Sequence, residues 1–442
     1  LDALILSRIQ FGLSVGFHYL FPATTIGLTF YILIIETIYL RTKKDIYRQI
    51  SDFMSRLLSL VFGMGVATGM LLPFSFGTNW SGFSIFSSNI FGAQLAIEAI
   101  TAFSVESIAL AVMLFGRSRV SKQVYWVAVF LVCAASHLSG FWIVSANSWM
   151  QTPAGYIIEN GVIKLLDFWA AIFNPSTIVR FCHVIIAGWI TGAVVVCAIA
   201  ASYLIRNTFT DFAKKMIAVS IILLIATPLL ELAVGHFHIM EVLETQPAKN
   251  SAYEGMFFKQ RGAPLYLFGI PDAQNKTIHF GIAIPKFLSF LESFNFDSEV
   301  HGLEEYDQST LPPVNVIFTT FHLMVGVGMI LIGVGLVGLF LFYTKKLFST
   351  RWYLWILMFI APLPYLANEM GWIGAEIGRQ PWIVYNILRT SGAVSPNVTF
   401  AQAAFSLSTL TIVYAFLFIS FIVFFTKLVK TGPMISKQTE AH

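Results

Sequence analysis

The sequence predicts an all-α integral membrane protein of nine transmembrane helices, with the N-terminus outside and the C-terminus cytoplasmic. Three observations carry that expectation. The 442 residues are 57% hydrophobic and only 11% charged, against roughly 25% charged in soluble domains. Nine apolar windows, near residues 12–40, 53–77, 91–115, 124–147, 181–205, 216–237, 314–343, 352–378 and 399–426, are long enough to cross about 30 Å of hydrocarbon at about 1.5 Å per residue. The basic residues, finally, are one-sided.

An odd number of spans puts the termini on opposite faces, and Lys and Arg in short connections decide which face is which. Of the 27 Lys and Arg, 17 flank one set of helix ends, in the groups Arg41–Arg56, Arg117–Lys122, Arg206–Lys215, Lys345–Arg351 and Lys427–Lys437. Only five, Arg8, Lys164, Arg180, Arg379 and Arg389, flank the other set. The remaining five lie in the long connection 238–313, and long loops cross largely regardless of charge.

Taken in order, the first window has no small-residue cleavage site near its end and reads as a retained span. Residues 1–237 form spans one to six, 238–313 an extracytoplasmic loop, 314–430 spans seven to nine, and 431–442 a polar cytoplasmic tail. The loop is rich in charges and prolines, with a turn expected at Gly269-Ile270-Pro271-Asp272. Glycines crowd the second window (Gly63, Gly65, Gly69) and the seventh (Gly326, Gly328, Gly333, Gly335, Gly338), where a neighbouring helix or a flat cofactor can approach. Cys133, Cys182 and Cys197 lack metal-site spacing and read as small buried residues. A net charge of +4 gives no nucleic-acid footprint, and the partner surface is lipid.

Chemistry concentrates in Asn368–Trp382, which leaves an apolar window yet carries Glu369, Glu376, Arg379, Trp372 and Trp382. A lipid-interface anchor accounts for Trp382 and Arg379. It does not account for Glu376, since an intramembrane carboxylate needs a cation, a metal or a proton path. The orientation places His18, Glu98, His183 and Glu376 near the outer ends of spans one, three, five and eight, with Met324 somewhat deeper in span seven. These are groups able to ligate a metal or handle protons. Glu106 follows Glu98 by eight residues, so by regular helix geometry it lies about 80° around and about 12 Å inward, with Ser139 on span four as a relay. Glu36 and Glu231 read as polar helix termini nearer the inner ends.

Several motifs occur in a fixed order on these windows: Phe17-His18-Tyr19, Gly65-Val66-Ala67-Thr68-Gly69, Phe76-Gly77-Thr78-Asn79-Trp80, Phe91-Gly92-Ala93 with Ala96-Ile97-Glu98, Asn147 with Trp149-Met150-Gln151, His183 before Gly188, Phe268-Gly269-Ile270-Pro271-Asp272, and Gly378-Arg379-Gln380-Pro381-Trp382. Over nearly its whole length the chain resembles subunit I of the cytochrome bd family of quinol oxidases, of the type with a short quinol loop. The resemblance implies two haems b and one haem d, the last exchanged for a second high-spin haem b in some relatives. His183 and Met324 then ligate the low-spin haem b, an imidazole–thioether pair suited to electron transfer. His18 ligates haem d and Glu376 the high-spin haem b, while Glu98, Trp372 and Arg379 flank the high-spin pair. Lys249 and Glu254 match the quinol positions of the loop, and Glu98, Glu106 and Ser139 the proton path.

One departure stands out: the family usually has Arg two residues before the methionine ligand, whereas this chain has His322, a spare imidazole near the haem. The implied activity is oxidation of ubiquinol or menaquinol and reduction of oxygen to water, electrogenic without a pump, in a bacterial or archaeal cytoplasmic membrane. The implied partners are subunit II, as a heterodimer, and a small single-helix subunit. Two rivals remain at this level. A proton-coupled transporter would place Glu98, Glu106 and Glu376 at a midplane site but calls for inverted repeats. A haem b electron carrier without oxygen chemistry calls for paired histidines, which His18, His137, His183 and His322 do not provide.

Overall fold

The computed structural model describes residues 2–433; residues 434–442, with Lys437 and most of the expected tail, lie outside the described residues. Among the described residues nine helices are long and apolar enough to span a membrane: Ala3–Thr42, Asp45–Thr78, Ser81–Phe115, Lys122–Gln151, Thr177–Ile205, Thr210–Thr245, Val314–Tyr343, Arg351–Ile377 and Phe400–Thr431. The helical architecture is interrupted outside the spans by four short antiparallel strand pairs.

Proline and one helical irregularity decide where the spans depart from the sequence expectation. The eighth window is not one helix: Arg351–Phe359 stops and Leu363–Ile377 restarts, because Pro362 and Pro364 lack the amide hydrogens a continuous helix needs. The second span pauses at Met70 and Leu71 ahead of Pro73. In the third span a π-helical turn, Ala99–Phe103, separates Ser81–Glu98 from Ser104–Phe115. The sixth span runs to Thr245, past the expected end at 237. Hydropathy falls at His236 and His238, but the backbone hydrogen bonds continue until Gln246 and Pro247 end them.

The fifth span is the axis of the bundle, packing on the first, fourth, sixth and eighth. Gly27 of the first span lies against Gly188 and Gly192 of the fifth so closely that a Cβ on either side would enter the other backbone. Small residues four apart are the usual device for such an approach in a membrane. Gly335 and Gly338 of the seventh span serve packing in the same way, against Leu224 and Ile221, whereas Gly326, Gly328 and Gly333 face open space.

The long loop begins with a short helix, Pro247–Glu254, and a hairpin of Leu265–Asp272 with Thr277–Ile284. The turn is at 273–276, not at Gly269–Asp272 as the Gly-Ile-Pro-Asp run suggests. Pro271 pairs with Ile278 inside the ladder, where a two-stranded sheet leaves one edge of each strand free of bonding. Asp272 closes the turn by accepting from the amides of Gln274 and Asn275, both at 3.0 Å.

Glu36, read from the sequence as a polar helix terminus, is a buried ion-pair partner. Its side chain is 0% exposed and receives Nη1 and Nη2 of Arg117 at 2.7 and 3.0 Å. Arg117 also donates to Ser51 Oγ and Asp52 Oδ1, each at 2.8 Å, and lies over the Tyr125 ring. This one guanidinium ties together neighbouring ends of the first four spans. Removing one member of a buried pair strands the other charge. Glu36→Leu is therefore expected to cost about 3 kcal/mol, read as a lowered Tm of the detergent-solubilised protein; an unchanged Tm contradicts the assignment.

Candidate functional site

The end of the fourth span at Gln151, the start of the fifth at Thr177 and the end of the eighth at Ile377 meet around Glu376. Its Oε1 accepts from Asn147 Nδ2 at 3.0 Å and Gln151 Nε2 at 3.4 Å, and its Oε2 pairs with Arg379 Nη2. Arg180 reaches the same cluster, donating to Asn147 Oδ1 at 2.6 Å and Ser148 Oγ at 3.2 Å. Lys249 enters from the loop helix and donates to Gln151 Oε1 and the Ala375 carbonyl, both at 3.1 Å. Three cations, 5%, 5% and 3% exposed for Arg180, Lys249 and Arg379, are bonded into a network that holds one carboxylate.

Buried charge must be compensated, and this network is short of anions. Arg379 Nε and Nη1 are enclosed without hydrogen-bond partners. Burial, then Arg180 and Arg379, push the Lys249 ammonium down to about 7. Carboxylate-bearing ligands suit such a place, and the planar Arg forks suit them best. Arg180 also lies over the Trp372 ring, which meets Tyr19 edge-on.

His18, on the first span, has Nδ1 3.0 Å from Thr68 Oγ1, which fixes the ring and leaves Nε2 as the nitrogen open to a ligand. The ring lies over Gly69, where a Cβ would sit 2.9 Å from His18 Cε1. His183, on the fifth span, has Nδ1 3.1 Å from Glu231 Oε1 and its ring beside His238. Glu231 is thus not an inner-end terminus. Residue 231 lies in the C-terminal half of the sixth span, Thr210–Thr245, which packs beside His183 near the start of the fifth. Met324 approaches from the seventh span, its Sδ 2.9 Å from where a Cβ on Gly371 would stand. The open glycines Gly326 and Gly328 follow on the same helix.

His322 is not a spare imidazole. Its Nδ1 faces the Phe318 carbonyl at 2.8 Å and its Nε2 the Tyr266 carbonyl at 3.0 Å, and the ring stacks on Phe318. It fastens the seventh span to the loop hairpin. His137 is likewise engaged at both nitrogens, by the Cys133 carbonyl and Trp189 Nε1.

Ser139 Oγ donates to Glu98 Oε1 at 2.6 Å. The π-turn between Glu98 and Glu106 adds about one residue to a helical turn, so the two carboxylates fall on nearly the same face rather than about 80° apart. Glu106 is 5% exposed, with Oε1 lacking a partner. On the loop helix, Lys249 and Glu254 are five residues apart, hence about 140° around, and they line different cavities. Lys249 borders one of about 130 Å³ with Tyr306, Asp307, Gln380, Trp382 and Tyr385. Glu254 borders one of about 30 Å³ with His236, Met240, Asn250 and Glu292. Burial, then Glu292, push the Glu254 carboxyl up to about 8.

Among the described residues no three His, Cys, Asp or Glu side chains form a metal cage. Single and paired axial donors beside open glycines and unpartnered Arg donors fit haem, which brings its own four nitrogens and two carboxylates. Fold and site together define a multi-pass membrane haem protein. The chain belongs to the cytochrome bd terminal oxidase subunit I family, whose model matches residues 6–433. It is similar to the cytochrome bd ubiquinol oxidase subunit 1 of Bacillus subtilis (strain 168), with 37% identity over 443 residues covering 98% of this chain and 94% of that one. It is also similar to the cytochrome bd-II ubiquinol oxidase subunit 1 of Escherichia coli (strain K12), with 32% identity covering 98% and 97%. The solved bd oxidase from Geobacillus thermodenitrificans superposes with a TM-score of 0.93 at 26% identity, over 98% of this chain and 99% of that one.

Sequence reasoning assigned no role to Arg180 or Glu369 and read Glu231 as a polar helix terminus. Arg180 was counted only as an outer charge, although it precedes His183 by three residues, one turn along the same helix. Tracing the sixth span outward would have placed Glu231 beside His183.

Proposed function

We propose that this chain is the quinol-oxidising, oxygen-reducing subunit of a bacterial or archaeal cytoplasmic-membrane bd oxidase, N-terminus outside and C-terminus cytoplasmic. The observation that carries the reading is the Glu376 cluster, three buried cations around one carboxylate, flanked by His18, His183 and Met324. His183 and Met324 hold a low-spin haem b, His18 holds haem d or a second high-spin haem b, and Glu376 holds the high-spin haem b. Arg379 and Arg180 anchor propionates, and Trp372 packs beside them. When bound, the haems supply one-electron transfer and the reduction of oxygen to water. Residues 1–237 and 314–430 form the span-bearing parts, 238–313 the quinol loop, and 431–442 the cytoplasmic tail. Subunit II is the heterodimer partner, with a small single-helix subunit beside it.

Each loop residue has a distinct task. Ubiquinol is named for two curated relatives and menaquinol for a third, and either quinol is a candidate donor. Glu254 accepts the hydroxyl proton, and Lys249, bonded to the backbone next to Glu376, links the loop to the haem cluster. Because the donor set lies toward the outer ends of the spans, protons for water must cross most of the membrane from inside. Glu106 and then Glu98, held by Ser139, carry them along one helix face, and the crossing separates charge without a pump.

Quinol-driven oxygen consumption by the purified complex, with reduced-minus-oxidised and pyridine-haemochrome spectra, tests the reading as a whole. Met324→Leu removes a soft axial ligand from an apolar helix. The low-spin signal should disappear while the high-spin haems stay; an unchanged low-spin spectrum refutes the pairing.

The raised Glu254 carboxyl gives a pH signature. A carboxyl held near 8 stays protonated below that pH and can accept a proton only once ionised, so quinol-driven turnover should climb as pH rises toward 8. Glu254→Gln should remove that limb and slow turnover about 100-fold, with oxygen binding to the dithionite-reduced protein intact. A retained limb in the variant rules Glu254 out as the acceptor.

A further inference from the structure

The eighth span carries four residues that the roles above use only in part: Tyr365, Glu369, Trp372 and Glu376. Their spacing of four, three and four residues puts them within about 60° on one helical face. That face is turned to the first span. Tyr365 Oη and Thr24 Oγ1 are 2.7 Å apart. Glu369 Oε2 sits 2.8 Å from where a Cβ on Gly16 would be, so glycine there leaves the carboxyl its place. Trp372 meets Tyr19 of the first span, and Glu376 is the outermost member of the row.

Neither Tyr365 nor Glu369 has a task in the roles above, and Glu369 is the acid of the two. It lies seven residues, about 10 Å, inward of Glu376. Its Oε1 is enclosed and has no hydrogen-bond partner among the described residues. An ionised carboxylate so placed in hydrocarbon is uncompensated, and packing alone would be served better by Gln or Leu. What a lone acid can do there is carry a proton.

Resting on the oxidase reading, we propose that the seam between the first and eighth spans is a second proton route, with Thr24 and Tyr365 leading to Glu369 as its proton-holding group. It is separate from the Glu98–Glu106 face of the third span. A proton taken from the inner side passes between the hydroxyl oxygens of Thr24 and Tyr365, rests on a Glu369 carboxyl oxygen, and leaves outward toward the oxygen-reducing site. Only the proton moves; no bond between heavy atoms forms or breaks. The seam delivers protons on the His18 and Trp372 side, while the third span delivers them on the Ser139 side.

The test uses the whole oxidase in liposomes, measuring proton uptake from the interior during quinol-driven turnover, together with haem spectra. Glu369→Gln should retain haem content and haem reduction by quinol but slow proton uptake at least about tenfold, and Glu369→Asp should recover part of the rate. Full-rate uptake in Glu369→Gln overturns the proposal, as does loss of haem from both the Gln and Asp variants, which would make the side chain structural. Should Glu369→Gln fail to assemble, Tyr365→Phe decides: it keeps the ring and removes the hydroxyl, so slowed uptake supports the seam and full-rate uptake overturns it. Absence of quinol oxidase activity in the unaltered protein would instead sink the functional reading.

Discussion

The constraint on which the rest depends is the excess of buried positive charge around Glu376. Arg180, Lys249 and Arg379 come from the fifth span, the loop helix and the end of the eighth span, and Asn147 and Gln151 of the fourth span join them to one carboxylate. Burying three cations around one hydrogen-bonded carboxylate is costly unless further negative charge reaches them. The cluster needs anions of defined shape, and haem propionates are such anions. In the proposed reading the Glu376 end of the bundle is a socket for them, and the first and fifth spans approach closely at Gly27, Gly188 and Gly192.

The Glu36 end of the bundle obeys the opposite rule. There the half-buried Arg117 guanidinium is matched by Glu36 and Asp52, and the surrounding core is aliphatic and aromatic. Charge balanced within the protein supports structure. Charge left unbalanced, around Glu376 and at the lone acids Glu106 and Glu369, marks the groups proposed to act. The same distinction separates His137 and His322, whose nitrogens are both engaged by protein atoms, from His18 and His183.

Much of the fold was legible because crossing a membrane needs only length and apolarity. All nine windows became spans. What hydropathy could not read were backbone events inside or beyond them: the break at Pro362, the π-turn after Glu98 and the polar last turns of the sixth span. The π-turn matters most, since one extra residue in a turn moves Glu106 onto the Glu98 face. For the site, the motifs brought out Glu376, Arg379 and the two loop residues. They could not indicate that Lys249 is committed to the Glu376 network while Glu254 faces another cavity. That follows from helix phase, and helix phase in a loop is set by tertiary packing. His322 was misread because its partners are carbonyl oxygens, which no residue pattern advertises.

The central claim is that the unbalanced outer cluster holds haem at named residues. Locating the irons in the purified complex, by anomalous diffraction at the iron edge, tests it most directly. The account predicts irons within bonding distance of His18, of Glu376, and of His183 together with Met324, with propionates at Arg379 and Arg180. Iron bound instead at His137, His238 or His322, or propionates directed away from the three cations, would contradict it.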